Sequence, residues 1–197
     1  MLPRLGVLVS GTGSILASLI ADRLPIVVVA TDRPCAAEQI ANDAGIATER
    51  VERQDFGQSF DRVAYTGELI EVLWSHRVDA VAMAGFGTVL SGEFVAAFSG
   101  RVLNTHPSLL PAFRGWHAVE AALAAGVEET GCTVHLVTEA VDEGPVLAQR
   151  RVPVLRTDDE QTLHERIKSV ERVLYPETIR AYLDSVGSAT RTQRVAR

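Results

Sequence analysis

Asn104 and His106 stand two apart in Asn104-Thr105-His106-Pro107-Ser108-Leu109-Leu110-Pro111, a polar run that breaks off the apolar Val102-Leu103. Proline at 107 biases His106 toward extended backbone angles, so both side chains are expected on one side of a strand end. An amide N–H placed there can bind a carbonyl oxygen as it turns negative, and an imidazole can give or take the accompanying proton. A strand that merely exits into a polar turn would carry the same octapeptide. A third group, Asp142, sits in the turn-rich Glu139-Ala140-Val141-Asp142-Glu143-Gly144-Pro145, after a strand-like stretch at 133–137. Folded beside the strand end, its carboxylate would orient the imidazole and favour its charged form. Otherwise it is an ordinary turn aspartate ahead of glycine and proline.

Near the start, residues 5–9 read as a short buried strand and Ser10-Gly11-Thr12-Gly13-Ser14 as the turn opening a helix over 15–22, with Ser14 as its N-cap. Free N–H groups at a helix start, with glycines that allow close approach, make a seat for an anion such as phosphate. A plain strand-to-helix turn is the competing reading. The same turn invites a dinucleotide fold, because Asp32 follows Gly11-x-Gly13 by about 20 residues. That rival fails at Leu16, which stands where close helix packing would need a third glycine.

The 197 residues fit a single domain able to bury a core without staples. The formal charge of −6 argues against nucleic-acid binding, which needs a basic footprint. No apolar run reaches 18 residues, and the first residues lack the order of a signal peptide, so a cytoplasmic protein without a membrane partner is expected. Cys35 and Cys132 lack metal-ligand spacing and read as buried, inert thiols, and no metal is expected.

The elements that must position these groups follow from pattern. Residues 26–30 form an unbroken apolar run, as in a strand covered on both faces of a parallel sheet. A helix over 35–44, a strand over 46–51 and a loop over 54–60 follow. Tyr65, Leu69, Ile70, Leu73 and Trp74 repeat at helical spacing as a core face. Residues 78–85 form the next strand, with a loop over 86–90 at its end, where ligands of parallel sheets bind. A helix starts near His117, a strand spans 146–154, and Leu163, Ile167, Val170 and Leu174 stripe the longest helix. Lys168 and Glu171 lie three apart beside that stripe, where a solvated ion pair is the ordinary reading. His135, inside a strand, reads as structural, and His76 and His164 as surface residues.

The octapeptide at 104–111, Asp142-Glu143-Gly144-Pro145 and Ser10-Gly11-Thr12-Gly13-Ser14, in this order, closely resemble the phosphoribosylglycinamide formyltransferase family of purine biosynthesis, over about residues 5–183. The resemblance implies a single-domain α/β formyltransferase fold: a Rossmann-like, mostly parallel twisted sheet flanked by helices, spanning residues 1–186 and followed by a flexible tail over 187–197. It implies transfer of a formyl group from 10-formyltetrahydrofolate to the amine of glycinamide ribonucleotide, by direct attack of that amine. Asn104, His106 and Asp142 then match the catalytic positions. Gly11, Thr12, Gly13, Ser14, Ile15, Lys168 and Glu171 match those that hold the ribonucleotide. Arg62, Gly87, Thr88, Val89, Leu90, Asn104, Thr138, Glu139, Ala140, Val141 and Asp142 match those around the folate. A homodimer is a further family expectation.

The sequence departs from that pattern at Ile15, where the family usually has asparagine, and at Gly87-Thr88, where it usually has Met-Arg. Arg114-Gly115 replaces the usual Pro-Gly and resembles formyltransferases that act on methionyl-tRNA or sugar nucleotides. A different amine acceptor and a formyl-folate hydrolase are therefore alternatives, although an additional domain of the kind those enzymes carry would not fit this length. A dinucleotide oxidoreductase and a non-catalytic folate- or nucleotide-binding module complete the set.

Overall fold

A computed structural model describes the backbone of residues 3–195 and the side chains of residues 3–186. Seven strands form one sheet in the order β3-β2-β1-β4-β5-β6-β7. They are β1 (Leu5–Val9), β2 (Ile26–Thr31), β3 (Ala47–Arg50), β4 (Ala80–Met83), β5 (Val102–His106), β6 (Glu129–Leu136) and β7 (Val146–Pro153). The first five run parallel, and β6 and β7 are antiparallel to their neighbours. Among the described residues, six helices cover the two faces: α1 (Ser14–Ala21), α2 (Ala36–Asp43), α3 (Arg62–Ser75), α4 (Gly92–Ala97), α5 (Ala118–Ala124) and α6 (Glu160–Val195). None of the described helices is long and apolar enough to cross a membrane. The tail expected over 187–197 has no described side chains, and residues 196 and 197 lie outside the described residues altogether.

Helices α1, α2, α5 and α6 pack on one face of the sheet, with Leu16, Leu19, Leu163, Ile167 and Tyr175 in that core. Helices α3 and α4 pack on the other, with Leu69, Leu73, Phe94 and Phe98. Both faces of the central strands are thus dry, which is why β1 and β2 are apolar throughout rather than alternating. β1 lies between β2 and β4, so the chain winds outward in both directions from the carboxyl ends of β1 and β4. Ligands of open α/β sheets enter at such a switch point.

Two local readings change. Gly13, not Ser14, holds the N-cap position of α1, with a left-handed φ of 72° and no side-chain cap bond. A side chain there would press a Cβ to 2.9 Å from the Ala37 Cα, so α2 forces the glycine. Trp74 is half exposed, because it sits one residue, or about 100° of helix, past Leu73 at the edge of the buried stripe. The short helix α4 carries too few residues for a periodic signal, although Phe94 within it and Phe98 at its C-cap are both buried.

Tyr175 of α6 is fully buried, and its hydroxyl lies 2.8 Å from the Leu103 carbonyl and 3.1 Å from the Met83 carbonyl, to which it donates. It ties α6 to the ends of β4 and β5. Removing the hydroxyl takes a buried donor from both carbonyls, so Tyr175→Phe is expected to lower stability by about 1–2 kcal/mol. A urea midpoint below that of the parent is the expected reading, and an equal midpoint would show that the tie carries no stability.

Candidate active site

Side chains alternate along β5, and this strand end uses both of its faces. Asn104 and His106 point to the α3 and α4 side, while Thr105 points to α6, where its hydroxyl meets Cys132 Sγ at 3.3 Å and Glu171. His135 lies opposite Asn104 in the antiparallel register of β6, on the same side as the amide and His106. A cavity of about 630 Å³ wraps this strand end and is lined by Asn104, Thr105, His106 and Glu171.

The turn after His106 is held by buried polar contacts. Thr133 Oγ1 donates to the Ser108 carbonyl at 2.6 Å and accepts from the Leu110 N–H at 3.0 Å. Gln149 Nε2 donates to the Leu110 carbonyl at 2.8 Å, and the Leu110-Pro111 peptide is cis. So fixed, the turn delivers the Phe113 carbonyl to within 2.8 Å of His106 Nε2, whose N–H donates to it. The loop after β6 comes back over the sheet face because Gly144 passes the Leu136 carbonyl so closely that a Cβ there would lie 1.7 Å from the oxygen.

That loop sets Asp142 against the imidazoles. Asp142 Oδ2 is 3.3 Å from His106 Nδ1 and accepts from the Gly115 N–H at 2.9 Å, while Oδ1 is 3.5 Å from His135 Nε2. His106 Nε2 already gives its proton to Phe113, so only a ring protonated on both nitrogens can also donate to Asp142. Among the described residues, four non-glycine residues have left-handed backbones: Arg23 and Arg77 follow the C-caps of helices α1 and α3, whereas Phe113 and Asp142 flank His106. Such conformations cost energy and persist where surroundings enforce them. His135 Nδ1 donates to the Leu136 carbonyl at 2.9 Å, so Nε2 donates to Asp142 Oδ1 when the ring is protonated, whereas in the neutral ring it accepts from Asn104 Nδ2 at 3.2 Å. One amide N–H is thereby anchored and the other is left for the cavity.

Burial would raise the Asp142 pKa, but His135, the Gly115 N–H and the charge of His106 together outweigh it and hold the carboxyl below its ordinary range. Glu171 goes the other way: burial lifts it to about 7 against the Thr105 hydroxyl, Lys168 and Arg172. Near neutrality that carboxyl can accept or donate a hydrogen bond.

The formyl transferase family model matches residues 3–179. The chain belongs to the formyl transferase family. It is 48% identical over 176 residues to the phosphoribosylglycinamide formyltransferase of Mycobacterium tuberculosis, covering 87% of this chain and 80% of that one. It is 41% identical over 194 residues to the human trifunctional purine biosynthetic protein adenosine-3, covering 95% of this chain but 18% of that protein. The crystal structure of glycinamide ribonucleotide transformylase 1 from Symbiobacterium toebii superposes with a TM-score of 0.87 at 38% identity, over 93% of this chain and 89% of that one.

Within this formyl transferase, the cavity brings together Gly11, Thr12, Gly13, Ser14, Ile15, Lys168 and Glu171 with Asn104, His106, Asp142, Val89 and Val141. Ile15 also gives its side chain to the core. Arg62, Gly87, Thr88, Leu90, Thr138, Glu139 and Ala140 are not among the lining residues. Arg62 is exposed at the start of α3, and Leu90 packs toward the α3 and α4 core. Thr88 is buried, with Oγ1 donating to Asp32 at 2.8 Å, and the Gly87 N–H donates to Ser10 Oγ at 2.6 Å. Arg33 Nη2 occupies the space a side chain at Gly87 would need, 3.3 Å from the place of its Cβ. Thr138 Oγ1 donates to the Ala140 carbonyl at 3.1 Å within the exposed rim of the loop, and Glu139 lies along Gly92 of α4.

Lys168 pairs with Glu165 at 3.2 Å rather than with Glu171. His135 and His164 were legible only as structural and surface residues, yet the first joins the Asn104 and Asp142 network and the second lines the cavity. Cross-strand register was the missing signal for His135, and the four-residue step from His164 to Lys168 was the available one for His164.

Glu171 binds its proton more tightly folded than in the unfolded chain, where the pKa is near 4.5. The stability this supplies is complete below about pH 4.5 and is lost as the pH rises through about 7. Glu171→Gln removes that loss, so relative to the parent the variant gains on the order of 2 kcal/mol between pH 4 and pH 8. Urea melts across that range check it; a pH-independent difference between the two proteins would contradict the raised pKa.

Proposed function

We propose that this protein transfers the formyl group of 10-formyltetrahydrofolate to the amine of glycinamide ribonucleotide in purine biosynthesis. The observation that carries the reading is the meeting of Asn104, His106 and Asp142 at one cavity with the Gly11–Ser14 turn. The amine nitrogen attacks the formyl carbon, and the carbonyl becomes a tetrahedral oxyanion. The free N–H of Asn104 holds that oxygen, and the protonated His106 ring adds positive charge beside it. Collapse breaks the bond from carbon to the folate nitrogen, which gains a proton as the attacking amine loses one. In the doubly protonated ring Nε2 donates to Phe113 and Nδ1 faces Asp142, so proton delivery requires one of those contacts to be exchanged for a bond to substrate. Asp142, held ionised, balances the ring's charge throughout.

The two faces of β5 suggest a division of the cavity. The loop residues Val89 and Val141 supply an apolar wall on the folate side, while Glu171, Lys168 and the 11–15 turn lie on the α6 side for ribose and phosphate. Arg62 and the rim residues Thr138, Glu139 and Ala140 are assigned to the folate's outer portion. Gly87, Thr88 and Leu90 support the loop that shapes the heterocycle's wall. Arg114 does not favour another acceptor, since its guanidinium pairs with Glu143 at 2.6 Å. The same reading places the protein in the cytoplasm. It also includes a homodimer, for which the sheet edge at β7, with Val146 and Leu147 exposed, offers one surface.

Asn104→Ala is expected to lower kcat by about 100–1000-fold while leaving the fold intact. Release of tetrahydrofolate, followed with and without glycinamide ribonucleotide, checks this. Near-normal turnover in the variant, or release that needs no acceptor, would contradict the assignment.

A further inference from the structure

The α6 wall of the cavity carries a group that formyl transfer as described leaves unused. His164, Lys168 and Glu171 are four and three residues apart, which puts them on one helix face, and all three line the cavity. The start of α6 fixes that face. Asp159 Oδ1 accepts from the Thr162 N–H at 2.8 Å, Thr162 Oγ1 accepts from the Asp159 N–H at 2.9 Å, and Arg166 forks onto Asp158 at 2.6 and 2.7 Å.

An anion in the Gly11–Ser14 turn would meet backbone donors there but no positive side chain, since Ile15 is apolar and turned to the core. Positive charge must come from α6. Lys168 shares its charge with Glu165. The half-buried His164 ring makes no hydrogen bond among the described residues. Burial first, and then Lys168, hold its pKa below the ordinary histidine range, against the opposing pull of Glu165 and Glu160. The other titratable groups facing the cavity are Glu171 on the same helix, His106 on β5 and Asp142 on the loop after β6.

We propose that His164 is a second cationic arm for the acceptor's phosphate, neutral in the free protein and protonated from solvent as the phosphate monoester dianion binds. The proposal rests on the formyl-transfer reading of the cavity. A dianion between Lys168 and His164 offsets both causes that keep the ring neutral, the desolvation of its charged form and the repulsion from the lysine. The added affinity is therefore full at low pH and is lost as the pH rises through the ring's pKa in the complex.

Titration calorimetry with ribose 5-phosphate, in buffers of different ionisation enthalpy near pH 7.5, reads the proton directly. With its second pKa near 6, a phosphate monoester is already mostly dianionic there, and this ligand carries no amine. Glu171 contributes equally to the parent and to His164→Gln, so the difference between them isolates His164. The parent is expected to take up more protons than His164→Gln, which binds about tenfold more weakly. His164→Arg is expected to recover affinity without the uptake. In turnover, His164→Gln is expected to raise KM for the ribonucleotide about tenfold with kcat changed less than about threefold. Equal proton uptake in parent and His164→Gln, or an unchanged KM, overturns the role of His164 and leaves formyl transfer standing. Absence of formyl transfer in the parent would overturn both.

Discussion

A single carboxylate, nearly shut off from water, is shared between two imidazole rings, and most of the site's construction serves to keep it there. Asp142 is held at a left-handed backbone angle, takes an N–H from Gly115 and faces His106 and His135 with its two oxygens. Left without those partners, a buried carboxylate would take up a proton and lose its charge. With them it stays ionised. The Arg114 to Glu143 pair and the Gly144 passage hold the ends of the same loops, so the unusual arginine belongs to this support.

The second constraint is the period of two along β5. Because consecutive side chains leave a strand on opposite faces, Asn104 and His106 serve one half of the cavity and Thr105 reaches the other, where it touches Glu171. Two reactants too large for one side can then meet over the strand end. The antiparallel β6 contributes what a parallel neighbour in its place would not. Its register sets His135 opposite Asn104 and anchors one amide N–H, and its return loop folds over the sheet face to carry Asp142.

The fold was largely legible in the sequence because the signals were local: unbroken apolar strands, a glycine turn, helical stripes. The pairing of Asn104, His106 and Asp142 could also be anticipated, since two share a strand face and the third sits in a turn-rich segment after a strand-like stretch. What pattern could not supply was contact across elements. His135 looked structural because strand register is invisible in one strand alone. The Thr88 hydroxyl is held by Asp32, 56 residues earlier, a contact that no local pattern shows. Asp32 itself, the aspartate that suggested a dinucleotide fold, is committed to Thr88 and Arg33. His164 looked exposed because a helix stripe shows which side faces the core but not where a cavity cuts in.

The central claim is that Asp142 and His106 act as one unit. A double-mutant cycle on kcat with His106→Gln, Asp142→Asn and the combined variant tests it most directly, because groups that work through each other do not lose activity additively. The account predicts that the double variant is scarcely slower than the slower single one. Losses that multiply, as for two independent groups, would contradict it.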